Sequence, residues 1–217
     1  MSGQLLLNIL GVNKMNIVKV SKMSGKLNGI PAINTNTVTN EFCIKMKDTD
    51  SICGSCYSHR MLNTYRKNCQ NAFQHNSDLL SKSILIEDFL PVINSAFFRF
   101  NGHGELINMA HLINIVNICK KNPHTSFALW TKRKNLVNKL FKYSDKYHPP
   151  ENLILIYSNP KIDCVMTEPP VHFHKVFNNV SKSVYQSIEN CTGQKCIECL
   201  ACYKKDSGTN VIVEKVK

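Results

Sequence analysis

Seven cysteines in two tight groups are the residues of this chain best suited to chemistry. The chain has ten, at positions 43, 53, 56, 69, 119, 164, 191, 196, 199 and 202. The C-terminal group reads Cys191-x4-Cys196-x2-Cys199-x2-Cys202. Two consecutive C-x2-C steps with a fourth thiol nearby can wrap a tetrahedral ion or a cubane cluster. The N-terminal group reads Cys43-x9-Cys53-x2-Cys56-Tyr57 and supplies three thiols. Either a fourth ligand comes from elsewhere, or one iron stays open to substrate or water. Thiols grouped this tightly in a reducing compartment usually hold metal. Reading the C-terminal four as core thiols fits poorly, because their segment has little apolar periodicity.

Two metals compete for these sites. Zinc is often bound by four cysteines, whereas the C-x2-C-x2-C run resembles the loop of bacterial ferredoxins and favours iron–sulfur. Cys56 directly precedes an apolar-striped helix (Tyr57, Met61, Tyr65, Cys69, Phe73, then Leu79 and Leu80), whose positive end suits an anionic cluster. If that helix is continuous, Cys69 lies about 20 Å from Cys56 at 1.5 Å per residue, which makes it a buried structural thiol. Cys119 ends an apolar helix and reads as core. Cys164, in a Pro-rich loop, is left open.

Polar groups at three successive strand ends are candidates for a bound cofactor: Arg99, Asn101 and Glu105 after the first, Lys132 after the second, Ser158 after the third. In open α/β sheets ligands gather at the carboxyl ends of strands. The competing reading gives Gly102 and Gly104 to the turn and Glu105 to the first helical turn, where it could otherwise accept a hydrogen bond from a ligand amine. His103 reads as a surface loop residue and Lys132-Arg133-Lys134 as a solvated helix face.

The elements that must position these residues follow from periodicity. Short strands are expected at Gln4–Leu10 and Asn16–Val20, a weak one within Asn34–Thr39, then the long helix from Tyr57. Strands Ala96–Phe100, Ser126–Trp130 and Leu153–Ser158 alternate with helices Glu105–Lys121 and Lys132–Tyr147, and strands Phe173–Val180 and Val211–Val216 follow. That alternation predicts an α/β fold with a parallel sheet like part of a (β/α) barrel. It would form one domain over 1–217, with a β element in 1–40 and a cysteine-rich loop in 186–210.

Composition sets outer limits. The chain has 217 residues, 43% hydrophobic and 19% charged, as folded proteins do and disordered ones do not. Its net charge is +12 and its pI about 9.3, which suits nucleic acid or an acidic redox partner protein. The bland alternative is a general bias toward Lys, Asn and Ile. No window approaches the roughly 18 apolar residues of a transmembrane helix. Leu5-Leu6-Leu7 lacks the basic flank and cleavage site of a signal peptide, so an intracellular, cytoplasmic location is expected. Oligomeric state is not encoded in any visible pattern.

Several stretches resemble the gene product 88-like family of phages, large DNA viruses and bacteria. They are Ile33–Thr37, Cys53-Gly54-Ser55-Cys56-Tyr57, Phe98 through Leu106, Phe127 through Arg133, and Cys191 through Tyr203. The resemblance implies iron–sulfur binding with no established reaction, and a host cytoplasm or virion location if the protein is viral. The order of Cys53-x2-Cys56-Tyr57, Gly104-Glu105 and Cys191–Cys202 also resembles radical S-adenosylmethionine enzymes. Their first cysteine spacing is usually three, against nine here. The expectation is therefore an iron–sulfur protein, one or two [4Fe–4S] clusters, with a redox role. The alternatives are an S-adenosylmethionine-dependent enzyme and a nucleic-acid binder with a structural cluster.

Overall fold

A computed structural model of the protein describes residues 17–144 and 146–216. Seven strands lie side by side in chain order: β1 (Val20–Ser21), β2 (Ala32–Ile33), β3 (Phe97–Phe100), β4 (Ser126–Thr131), β5 (Leu153–Ile162), β6 (Lys175–Val180) and β7 (Val211–Lys215). β1 and β2 are antiparallel; every later neighbouring pair is parallel. The sheet is open, with β1 and β7 at its edges. The helices are α1 (Glu41–Lys47), α2 (Tyr57–Asn63), α3 (Gln70–Lys82), α4 (Met109–Lys121), α5 (Lys134–Tyr143) and the single turn α6 (Cys196–Cys199). None is long and apolar enough to cross a membrane.

Strand alternation divides the core into two layers. Phe98, Phe100, Phe127, Leu129, Leu153 and Leu155 point to one face, where they pack with Leu80 of α3, Leu112 and Ile115 of α4, and Val137 and Leu140 of α5. Ala128, Trp130, Ile154 and Ile156 point to the other face, which is covered by Ile30, Tyr203 and the cysteine-rich chain between β6 and β7. Helices α3, α4 and α5 and the cysteine loop thus sit on opposite faces of one sheet. Asn114 fastens α4 to the end of α3, donating to the carbonyls of Leu80 and Ser83, both at 2.8 Å.

The expected elements shift in four places. The helix after Cys56 is two helices, because Thr64 leaves helical geometry (φ −122°, ψ −102°) and the Lys67–Cys69 turn restarts it. α4 begins at Met109, four residues late, because Asn108 caps it by accepting from His111 N at 3.0 Å. β5 runs past Ser158 to Ile162, with a register shift that accommodates Pro160. Residues 34–37 are not a strand; they form a buried polar turn after β2. The Gln4–Leu10 strand and the turn after it lie outside the described residues, and β1 holds the end of the second expected strand.

Three histidines are built into this frame as neutral rings. His111 is fully buried and its Nδ1 accepts from Ile107 N at 3.2 Å; burial pushes its pKa down to about 3. His174 accepts from Leu155 N at 3.0 Å, and burial, then Lys205 and Lys175, lower it to about 4. His103 is lowered to about 4 by burial and by Arg99 and Arg66. Each takes up a proton more readily when unfolded, so its contribution to stability is whole above the unfolded value of about 6.5 and fades as pH falls toward the folded one. Urea unfolding is expected to give lower stability at about pH 5 than at about pH 7, with a limiting slope of about 1.4 kcal/mol per pH unit per histidine. Equal stability at the two pH values would contradict this.

Candidate metal centres

The first three cysteines converge although twelve residues lie between the outer pair, Cys43 and Cys56. Asn40 caps α1 by accepting from Phe42 N at 3.0 Å and Cys43 N at 3.4 Å, which fixes Cys43 in the first turn. The chain then folds back: Gly54 N donates to Ser51 O at 2.9 Å, and Cys56 N to Cys53 O at 3.1 Å. A Cβ on Gly54 would stand 3.1 Å from Thr49 O, so the turn leaves little room for a side chain. Ile52 N donates to Pro160 O at 2.9 Å, which ties the turn to β5. Cys43, Cys53 and Cys56 then line one small cavity with Thr37, Lys47 and His59. Burial is the main force raising the Cys43 and Cys53 pKa values; Lys132 opposes it at both.

The other four cysteines surround a larger cavity that they share with Asn190 and Tyr203. Cys191 N reaches Val213 O at 3.0 Å, which anchors the loop to β7. α6 carries Cys196 and Cys199 and ends at Leu200, whose left-handed backbone (φ +53°) swings Cys202 back toward them. Tyr203 is buried between Phe97 and Trp130, with ring centroids at 6.1 and 5.9 Å. The buried ammonium of Lys175 fastens the far end of the loop, donating to Thr209 O at 2.7 Å, Ser207 Oγ at 2.8 Å and Lys205 O at 3.3 Å. Lys26 pairs with Glu214 and stands 3.6 Å from Cys191 Sγ. Burial raises Cys202 to about 12, against the pull of Arg99.

The five polar candidates part company. Glu105 is a buried strut: Leu106 N (2.8 Å) and Thr131 Oγ1 (2.5 Å) donate to one carboxylate oxygen, and Lys132 N (2.8 Å) to the other. Its carboxylate is occupied by these donors rather than turned to a ligand amine. Asn101 is also structural, held at φ +58° with its amide donating to Trp130 O at 3.2 Å. Lys132 donates to Ser158 Oγ at 3.1 Å and serves the first cavity; burial works against its charge, but Cys53, Glu105, Cys56 and Cys43 outweigh it and raise its pKa. Arg99 belongs to the second site, stacked 3.8 Å over Trp130. Among the described residues neither Lys132 nor Arg99 joins an ion pair.

The remaining cysteines stay outside both cavities. Cys69 packs with Val38 and Ala72 against Met61, Leu62 and Phe73; the broken helix removes the distance argument, but the thiol still serves this small core. Cys119 is in the main core and Cys164 is exposed. His103 is half-buried rather than a surface residue, stacked on Phe73 and 3.1 Å from Ser58 Oγ. Lys26 and Lys175 escaped the sequence reading. A lysine inside the apolar run of β6 was a visible signal; nothing marks Lys26.

Among the described residues, no three His, Cys, Asp or Glu side chains are already drawn around a single-ion position. Instead the thiols line the walls of cavities. The donor set nonetheless fits a thiolate-bound centre: four sulfurs face the second cavity, and Arg99 Nε beside it is buried without a hydrogen-bond partner.

The architecture defines a mostly parallel α/β protein with two cysteine-lined cavities. The chain belongs to the gene product 88 family, whose model matches residues 10–182, a stretch that includes Cys43, Cys53 and Cys56 and ends before Cys191. No curated protein and no solved structure gives a significant match.

Two substitutions separate strut from bystander. Glu105→Gln turns an amide N–H toward existing donors and is expected to destabilise the fold by about 2–3 kcal/mol in denaturant melts. Cys69→Ala should cost only about 1 kcal/mol and leave bound metal unchanged. Loss of metal in Cys69→Ala would make that thiol a ligand.

Proposed function

We propose that the protein holds iron–sulfur clusters at both cysteine groups, most simply [4Fe–4S], and serves in electron transfer. The observation that carries this reading is the sorting of the thiols: seven of ten line two separate cavities, each within electrostatic reach of a cation, Lys132 or Arg99, that joins no ion pair among the described residues. A thiolate-ligated cluster is anionic, so Arg99 would gain a counter-charge that no ion pair gives it, and Lys132 one beyond that of Glu105. Thiols spread along the walls of a cavity, with no single-ion position drawn among them, suit a polynuclear centre better than one tetrahedral zinc, which draws its sulfurs to about 2.3 Å of a single point. When bound, such clusters supply one-electron chemistry.

The chain's own residues then have defined tasks. α1 and the Ser51–Cys56 turn present three thiols, and Lys132, fixed by Ser158, offsets their charge. The loop between β6 and β7 presents four, held by Tyr203 on the sheet and by Lys175 at its far end. Strands in chain order with helices on one face also support the reading of the sheet as part of a (β/α) barrel. The net charge of +12 favours an acidic redox partner. A second reading, an S-adenosylmethionine-dependent enzyme, draws on one observation: the first cavity offers three thiols, which would leave one iron position without a cysteine.

Separate centres predict separable losses. Purified without oxygen, Cys199→Ser is expected to retain about half of the wild-type iron and sulfide, and Cys56→Ser to retain the complementary half, with different EPR spectra. Complete loss of iron in both variants would show a single bridging cluster. Stoichiometric zinc without sulfide in the wild type would refute the iron–sulfur reading.

A further inference from the structure

Among the described residues, Arg99 is a cation on the cysteine face that joins no ion pair. It projects from the centre of β3, opposite Ala128 in register, on the side of the sheet that Trp130 and Tyr203 share. Its guanidinium lies 3.8 Å from the Trp130 ring centroid, which fixes its plane. Nε is buried and unpartnered, and so is the hydroxyl of Tyr203. No carboxylate pairs with Arg99 among the described residues, whereas of the other cations near these thiols Lys26 already has Glu214, and the ammonium of Lys175 is taken up by Thr209 O, Ser207 Oγ and Lys205 O. Arg99 is only partly exposed, and a guanidinium with a buried, unpaired Nε and no anion carries a desolvation cost. The groups within its electrostatic reach include the thiols of Cys196 and Cys202, which become anionic on ligation. Trp130 touches Tyr203, and Tyr203 follows Cys202 in the chain, so one packed unit sets the cation against the thiol cavity.

We infer that Arg99 is the dedicated counter-ion of the C-terminal centre and sets its reduction potential. The inference rests on the proposed iron–sulfur reading. Reduction adds one electron, taken from an external reductant such as dithionite, and so adds one negative charge to the centre. A fixed cation nearby favours that reduced form. Arg99 is a positioning and tuning residue, not a ligand, so removing its charge should shift the couple while leaving the metal in place. The N-terminal centre, which has Lys132 as its own cation, should respond less.

The test is an anaerobic EPR-monitored redox titration of wild type, Arg99→Met and Arg99→Lys. Methionine keeps an apolar side chain against Trp130; lysine keeps the charge. The signal that disappears in Cys199→Ser identifies the C-terminal centre. Arg99→Met is expected to retain wild-type iron and to make reduction of that centre less favourable by about tenfold, about 59 mV more negative for one electron. Arg99→Lys should restore most of the shift. If methionine disrupts folding, Arg99→Gln carries the same expectation. Wild-type protein without iron would overturn the functional reading and this inference with it. An iron-loaded, charge-removing variant with an unchanged potential would overturn the inference alone, as would an equal shift at both centres.

Discussion

The buried carboxylate of Glu105 joins the pieces of chain on which the first cysteine site depends. Its oxygens take Leu106 N, Thr131 Oγ1 and Lys132 N, so the end of β3 and the end of β4 are held at one fixed spacing. Its backbone carbonyl accepts from Asn40 Nδ2 at 3.1 Å, and Asn40 is the residue that caps α1 beneath Cys43. Gly104, just before it, has φ +98°, and a Cβ there would overlap Thr35, with its carbonyl oxygen only 2.6 Å away. The loop and the polar turn after β2 therefore interlock at a spacing that only glycine permits. Charge-assisted hydrogen bonds at a buried carboxylate are worth more than neutral ones and costly to leave unmade. The position of Lys132 against the thiols thus follows from a strut at the neighbouring strand end.

Charge explains why both cysteine sites sit where they do. Burial raises the pKa of Cys43, Cys53, Cys191, Cys196 and Cys202, so without a positive centre these thiols favour the neutral form. Ligation requires thiolates and releases their protons. The cations in place, Lys132 at one site, Lys26 and Arg99 at the other, lower that cost before any metal arrives. The loop carrying the C-terminal four is tied to β7 through Cys191, to β4 where Ser126 Oγ donates to Tyr203 O at 2.6 Å, and to β6 through Lys175. Holding a flexible segment at three strands reduces the entropy lost when its thiols close on a centre.

Much of this was legible in the residues. The grouping of the cysteines foretold which seven would line cavities, and the strand–helix alternation from β3 to β5 was visible as apolar runs separated by turn residues. Boundaries failed where side chains override periodicity. Asn108 takes the cap that moves α4 four residues on, and the Thr64 break splits a helix whose apolar stripe continues across it. α1 was missed because its segment, Glu41–Lys47, has no buried residue and hence no stripe. The roles of the polar candidates were not legible at all. Whether a carboxylate meets a ligand or a backbone N–H depends on which strand ends lie beside it. Glu105 and Arg99 sit six residues apart in sequence yet serve opposite ends of the site.

The central claim is that one chain carries two independent thiolate-ligated centres. Native mass spectrometry of the intact wild-type protein, purified and sprayed without oxygen, tests it most directly. The account predicts a dominant species carrying about eight irons and eight sulfides, with a lesser species carrying half of that and little in between. A dominant species with a single cluster, or with zinc alone, would contradict it.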